Sequence, residues 1–532
     1  MIGMGDMRRG VWLGRAGAVA GAALLAIGAP VAGLAQSSAG APVADAPLPP
    51  AAAPPTTIAP SSPITVAPVG AQALAQLDLF SAGRQTGFGQ DLWKDSSADI
   101  ARTVIPTLGG AALSPAAAAL GRDLLATASI APEGAGNDAV LAAARASAVL
   151  ALGDAEGASN ILDHTPGVSS SAALSQVAAE AALITGRNDK ACAIGDALAA
   201  DRDGVYWLRL RAFCQALAGK ADIAQLTYTL ANQQARDPYF ARLMGAMLAG
   251  GADAGQASLR DGLDFALSVQ LRLDLAPALP TASRAIAQQL ASLPPAPPAL
   301  AGAADATPPP PPPPPTEADV LAPLRAAANF SDYAVAAKAA KPAIAQLLEL
   351  KTPLTSPVAL ANAAVVASDL SDADTIRAGL TVNGAGGDVL DVTILDATLA
   401  SARGAVDSSL VGRLVQLSET TDSRERARAE AAAELAAALA PTLDPGVRAR
   451  LAAFDLPSSG GPAARLIAME TAASAGRKGE AALLALWTAE ADGEAGPSLE
   501  DRVRIERALV QVGLGANAQA FAVEGLAQLQ AR

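Results

Sequence analysis

Apolar residues recur three and four positions apart through most of the chain, in short segments separated by a glycine and a polar residue. This spacing places the apolar side chains on one face of a helix. A glycine ends a helix readily because it adopts the left-handed backbone conformation without steric cost, and a polar residue then begins the next helix. The pattern therefore predicts a chain of short helices connected in pairs.

Five segments have this form, namely residues 140–163, 174–200, 207–234, 464–492 and 502–529. In four of them, the glycine at the turn is followed five residues later by an alanine: Gly153 and Ala158, Gly186 and Ala191, Gly219 and Ala224, Gly476 and Ala481. A spacing that recurs in this way is typical of a repeat architecture. Alanine suits such a repeat because its small side chain lets two helices approach closely.

These helix pairs resemble degenerate tetratricopeptide repeats, in which small residues lie where two helices cross. The Trp, Tyr and Pro positions of the tetratricopeptide pattern are mostly missing here, and the spacing between units is uneven. The resemblance implies an α-solenoid, and solenoids of this kind bind peptides or protein surfaces along a concave face.

The segment YWLRLRAFCQALAGK, residues 206–220, is similar to a group of exported Ala-rich bacterial proteins sometimes labelled antifreeze glycopeptide polyprotein. That label implies an ice-associated role. Helical antifreeze proteins repeat threonines every eleven residues, and no two threonines of this chain are eleven apart. The threonine pattern therefore argues against that role.

Composition supports an all-α fold. Aromatic residues make up only 3% of the 532 residues, and alanine, which has the highest intrinsic helix propensity, is abundant. A β-sandwich or barrel would require more Val, Ile, Thr and Tyr in alternation. We therefore expect two tetratricopeptide-like α-solenoid blocks, residues 71–293 and 317–532.

Two low-complexity segments separate these blocks from the rest of the chain. Residues 36–70 are rich in Ala, Pro, Ser and Thr, without helical or strand periodicity, which predicts a disordered tether. Residues 294–316 contain eight consecutive prolines, Pro308 to Pro315, which favour an extended polyproline II spacer. We expect this second segment to be a proline-rich linker between the two helical blocks.

Residues 1–35 have the layout of a secretory signal peptide, with a basic start, an apolar centre and small residues before a cleavage site after Ala35. The alternative is an uncleaved anchor in the inner membrane, because residues 16–34 are nearly long enough to span it. We therefore expect a periplasmic or secreted protein, with no stable membrane span once the signal is cleaved. The formal net charge is −13, without a Lys/Arg cluster after the signal, so nucleic acid is not an expected partner.

Cys192 and Cys214 are the only two cysteines, and they lie equally far from Asp203 in the predicted turn between two helices. In an antiparallel helix pair, this places them opposite each other. We predict a disulfide, as in many exported proteins, which should stabilise the fold by ~3 kcal/mol in the chain-entropy model. A redox Cys-x-x-Cys motif is missing, and a zinc site would need more ligands than His164, the single histidine, which we expect in a solvated turn.

Few residues of the sequence are candidates for catalysis or for binding a metal ion or cofactor. Asp388, Asp391 and Asp396 are candidate cation ligands in the glycine-rich segment 382–399, but their spacing does not fit an EF-hand, and we expect a turn between helices. We expect the acidic segment 488–502 to be solvated surface. The sequence therefore predicts no catalytic, cofactor-binding or metal site.

We expect a non-catalytic periplasmic scaffold or adaptor that binds an envelope protein or peptide through its helical repeats. The alternative is a cell-envelope hydrolase with a carboxylate site. A cleft with close carboxylates and aromatic walls would favour the hydrolase, and an elongated helical groove would favour the scaffold.

Overall fold

A computed structural model of the chain describes residues 78–293, 313–351, 353–380, 388–456 and 460–530. Within these ranges the protein is all-α, and its only β pairing consists of two isolated bridges. The predicted fold class is therefore confirmed, whereas the solenoid arrangement stays a prediction. The predicted signal peptide, the tether and most of the proline-rich linker lie outside the described residues.

The described residues form twenty-three α-helices with short connections. Those before the proline-rich segment are α1 (Ala98–Val104), α2 (Pro115–Ala126), α3 (Ala139–Ala151), α4 (Ala155–His164), α5 (Ala172–Ile184), α6 (Asn188–Ala197), α7 (Val205–Leu217), α8 (Ala221–Gln234), α9 (Pro238–Leu248), α10 (Gly262–Gln270) and α11 (Arg284–Ser292). Those after it are α12 (Glu317–Ala326), α13 (Phe330–Glu349), α14 (Pro357–Val366), α15 (Leu370–Gly379), α16 (Val389–Arg403), α17 (Ser408–Leu417), α18 (Ser423–Leu439), α19 (Pro445–Leu451), α20 (Ala463–Ser474), α21 (Lys478–Glu490), α22 (Leu499–Gln511) and α23 (Gly515–Gln530).

The predicted helix pairs are confirmed at all four glycine turns. Each turn glycine has a positive φ, between +70° and +88°, and ends a helix: Gly153, Gly186, Gly219 and Gly476. The alanine five residues later is fully buried in the next helix in every case: Ala158, Ala191, Ala224 and Ala481. The five-residue spacing therefore reflects one local geometry. A residue with a left-handed backbone conformation turns the chain, and an alanine packs where the second helix approaches the first.

The same geometry occurs at two further turns. Gly513 has a φ of +80° and ends α22, and Ala518 is fully buried in α23. Between α14 and α15, Ser368 has a φ of +59° and Ala373 is fully buried. The turn at Ser368 is not evident from the sequence because serine, unlike glycine, rarely adopts this conformation.

Helices from both sides of the proline-rich segment share the largest apolar core, which runs from Leu79 to Phe521. At the start of α21, the amide of Gly479 donates to the carbonyl of Leu92 over 2.8 Å. A Cβ at Gly479 would lie 2.5 Å from the indole of Trp93, so this approach requires glycine. The predicted block boundaries stay predictions, but the C-terminal helices complete the core of the N-terminal part.

A buried ion pair holds this junction together. Arg502 of α22 donates to Oε1 of Glu524 of α23 over 2.9 Å, and their side chains are only 3% and 2% exposed. The other carboxylate oxygen of Glu524 accepts the amide hydrogen of Ala116, in the first turn of α2, over 2.9 Å. Arg502 also donates to the carbonyl of Phe521. One carboxylate therefore links the second helix of the described chain to the last.

Residues around the Glu524 carboxylate preserve its ion pair with Arg502. Burial raises the pKa of the neighbouring Glu506 well above its ordinary value, although the Arg502 guanidinium opposes this shift, so ionisation of Glu506 beside the pair is disfavoured. Gly496 has a φ of +78°, and a Cβ there would lie 2.5 Å from Oε1 of Glu524. A side chain at that position would therefore displace the ion pair.

We predict that Glu524→Gln lowers the free energy of unfolding by about 3–5 kcal/mol, because it leaves the Arg502 guanidinium buried and uncompensated. Urea unfolding followed by far-UV circular dichroism measures this change. The matched control is Glu470→Gln, which breaks an exposed pair with Arg504 and should cost less than about 1 kcal/mol. Equal losses in the two variants would contradict the role given to Glu524.

Candidate functional site

The hairpin of α7 and α8 exposes more apolar surface than its sequence pattern predicts. Its first helix is well anchored, since Trp207, Leu210 and Phe213 of α7 are at most 4% exposed and belong to the local core. The second helix, α8, buries only Ala224 and Ala231 along its fourteen residues. Tyr228 of α8 adds a ring contact with Phe240 and donates to the carbonyl of Ala241, so the inner side of α8 is anchored while its other side faces solvent.

The large apolar residues of α8 lie on this solvent-facing side. Ile223, Leu226 and Leu230 are 52%, 64% and 45% exposed, and their spacing of three and four residues aligns them in one stripe. These residues face solvent, although apolar residues at helical spacing usually face the core. The side of α8 that faces the body of the protein carries alanines, which allow the helix to pack closely. A leucine at these positions would keep α8 further from the body of the protein.

The exposed side of α8 is almost uncharged. Its other exposed residues include Gln225, Thr229 and Gln233, and Asp222 is the only charged residue of the helix. For a protein with a formal net charge of −13, a neutral apolar helix face is an unusual surface. Exposed apolar residues grouped in this way are typical of interaction sites.

The stripe ends at a cavity of about 580 Å³ that is lined by two arginines and one aspartate. Leu230 and the two glutamines at the end of α8 form one wall; Leu208 and Arg211 of α7, with Arg202 and Asp203 of the preceding turn, form the other. Arg211 donates to the carbonyls of Trp207 and Arg202, and among the described residues neither Arg202 nor Arg211 forms an ion pair. We call the stripe and this cavity together the α8 surface.

An ionic network fixes the hairpin to the following helices. Asp237 caps the N-terminus of α9 by accepting the amide hydrogens of Tyr239 and Phe240, and it pairs with Arg209 of α7 over 3.4 Å. Arg260 pairs with Asp237 over 3.0 Å and continues the network to α10. The α8 surface therefore lies on a rigid support.

The two cysteines add a covalent link on the other side of α7. The Sγ atoms of Cys192 in α6 and Cys214 in α7 are 1.99 Å apart, and their Cα atoms are 5.7 Å apart, so a disulfide joins the two helices. Such a bond is compatible with an extracytoplasmic protein.

A carboxyl with a perturbed pKa lies beneath the hairpin. Glu180 of α5 accepts the amide hydrogen of Gly262, at the start of α10, over 2.7 Å. Burial, together with the nearby Asp261 carboxylate, raises the pKa of Glu180 to about 7 against the opposing effect of the Gly262 amide. Burial and the nearby Glu180 also raise the pKa of Tyr206 in α7. Glu180 therefore titrates near neutral pH at a point where three helices meet.

The structure does not bring the other sequence candidates together. His164 is exposed, as expected, but it is the last residue of α4 rather than part of a turn, and its Nδ1 lies 2.8 Å from the carbonyl oxygen of Asn160. Asp391 and Asp396 lie on α16 and pair with Arg428 and Arg377, respectively.

The predicted turn over residues 382–399 is wrong from Val389 onwards, where α16 begins, and residues 381–387 lie outside the described part. Asp388 directly precedes this helix. Within the ranges that the structure describes, no group of three or more His, Cys, Asp or Glu side chains is arranged to hold a metal ion.

The acidic segment 488–502 is only partly solvated surface. Asp501 is 1% exposed and accepts the amide hydrogen of Gly461 over 2.7 Å. Glu490 accepts the amide hydrogen of Gly109 over 3.0 Å. The expectation of a solvated run is therefore wrong for Asp501, because this carboxylate satisfies a backbone amide inside the fold.

No helix in the described ranges combines the length and the apolar character needed to cross a bilayer. No known family model, characterised protein or solved structure matches the chain. The resemblance to tetratricopeptide repeats therefore stays a prediction.

We predict that the double variant Cys192→Ala/Cys214→Ala loses ~3 kcal/mol of unfolding free energy, because the cross-link restricts the unfolded chain. Urea unfolding without reductant measures the loss. Adding a reductant should destabilise the native protein by the same amount and leave the double variant unchanged. A native protein that does not respond to the reductant would show that the bond contributes nothing to stability.

We predict that Glu180 makes stability depend on pH. Its folded-state pKa of about 7 lies above the ordinary value of 4.5, so its contribution is fully present below pH 4.5 and is lost as the pH rises through 7. Glu180→Gln should flatten the dependence of the unfolding free energy on pH across this interval. Glu156→Gln, at an exposed carboxylate paired with Arg187, is the control and should keep the native profile. An unchanged profile in Glu180→Gln would contradict the prediction.

Proposed function

We propose that this protein is a non-catalytic scaffold or adaptor of the periplasm that binds an envelope protein through the α8 surface. The observation that carries the proposal is the stripe of Ile223, Leu226 and Leu230, exposed on a helix that is rigidly held at its back. Leaving three large apolar side chains in water is unfavourable, and a partner that covers them recovers that free energy. The disulfide supports an oxidising compartment.

The chemistry of the α8 surface defines the partner. An apolar stripe at helical spacing fits an amphipathic helix that lays its apolar side along it. Arg202 and Arg211, which outnumber Asp203 in the cavity at the end of the stripe, favour an acidic group at the corresponding end of that helix. The partner is therefore an envelope protein with an amphipathic helix that ends in a carboxylate or carries an acidic residue at one end.

The perturbed carboxyls support a structural role rather than catalysis. Glu180 accepts the amide hydrogen of Gly262, and Asp261 accepts that of Asp264 over 2.8 Å, so both carboxylates cap the start of α10. Groups bound to helix amides in this way position helices, and their shifted pKa values follow from burial.

A photo-crosslinking amino acid at position 226 tests the proposal in intact cells. We expect it to crosslink one envelope protein, or a few in constant ratio. The same amino acid at position 467, where Ile467 of α20 is 61% exposed, is the matched control and should not crosslink that protein. Adding Leu230→Asp should abolish the crosslink, because it places a charge within the apolar contact.

Two outcomes would contradict the proposal. If positions 226 and 467 yield the same proteins, the α8 surface is not a specific site. If the crosslink at 226 persists with Leu230→Asp while circular dichroism shows a native fold, the stripe does not form the contact.

A further inference from the structure

A second candidate site lies where the N-terminal and C-terminal helices meet. A cavity of about 370 Å³ opens between α2, α13, the α14–α15 turn and α23. Alanines form much of its wall, including Ala119 of α2, Ala334 of α13 and Ala520 of α23. The cavity exists because these positions carry a methyl group where leucines would fill the space. Its volume is at the lower end of the ~300–1,000 Å³ usual for small-molecule sites.

The base of the cavity holds no free charge. Glu524 contributes to the lining, but its two carboxylate oxygens are bound to Arg502 and to the amide of Ala116. Beyond this neutralised pair, the inner wall is apolar, with Phe330 and Val365 among its larger side chains. The inside of the cavity therefore favours hydrocarbon.

The rim, in contrast, is basic. Lys338 of α13 lines the cavity, is exposed, and forms no ion pair with any described residue. Gln519 adds a neutral amide at the same cavity, and Ala516 places the first turn of α23 there, where the helix dipole favours an anion. The site thus combines an apolar interior with one unpaired cation, in a protein whose net charge is strongly negative.

We propose that this cavity binds a medium-chain carboxylate amphiphile of the fatty-acid class. The hydrocarbon chain lies along the alanine walls, and the carboxylate pairs with the Lys338 ammonium at the rim. Charge complementarity selects this ligand, because a cationic amphiphile would be repelled by Lys338 and a neutral one would leave it unpaired. The ligand contacts α2 as well as α13 and α23, so its binding stabilises the closed core.

Isothermal titration calorimetry of the purified full chain with dodecanoate tests the proposal. We expect saturable binding with a stoichiometry near one, and a rise in the unfolding temperature as dodecanoate is added. Dodecanol should bind at least about tenfold more weakly, and dodecyltrimethylammonium should not bind. Binding of all three probes with equal affinity would overturn the proposal, because it would indicate nonspecific adsorption.

Three variants locate the site. Lys338→Glu should weaken dodecanoate binding by about tenfold or more, whereas Lys351→Glu, an exposed charge reversal just after the same helix, should leave it unchanged. Ala520→Leu should block binding by filling the cavity, and Ala119→Leu replaces it as the test if that variant does not fold. Dodecanoate binding that survives both Lys338→Glu and the cavity-filling substitution would overturn the proposal. None of these substitutions touches the α8 surface, so this test is independent of the proposed partner binding.

Discussion

The fold depends on one carboxylate, that of Glu524. It accepts a hydrogen bond from Arg502 and another from the amide of Ala116, which lies 408 residues earlier in the chain. A charge buried to this degree is strongly unfavourable unless every partner is in place, so the ion pair forms only when α2, α22 and α23 are assembled together. The contact therefore makes closure of the core specific, because any other docking of the last helix would leave a buried charge uncompensated.

Around this contact, the helices pack through alanine. The glycine-to-alanine spacing of five residues predicted four helix pairs, and the structure buries each alanine completely in the second helix of its pair. This part was predictable because it depends on local chemistry: a left-handed glycine and a small side chain a few residues later. The turn at Ser368 could not be predicted in this way. The same left-handed backbone conformation occurs there, but with serine in place of the glycine that usually indicates it.

Two other features of the structure could not be predicted from the sequence, for different reasons. The shared core joins segments hundreds of residues apart, and no periodicity within one helix specifies its distant neighbour. The orientation of α8 inverts the usual rule that large apolar residues face inward. Ala224, Tyr228 and Ala231 pack against the body of the protein, and Ile223, Leu226 and Leu230 face solvent. Helical spacing identifies such a stripe but does not distinguish a core face from a binding face.

The two proposed sites differ in how they depend on the junction. The alanine-lined cavity includes Glu524 itself and walls from α2, α13 and α23, so it exists only when the ion pair is formed. Its ligand and the closed core should therefore stabilise each other, since a molecule that binds only the assembled state shifts the equilibrium toward that state. The α8 surface instead rests on α7, which the disulfide and the Asp237 network hold through contacts of their own. Loosening the junction should therefore empty the cavity while the α8 surface keeps its shape.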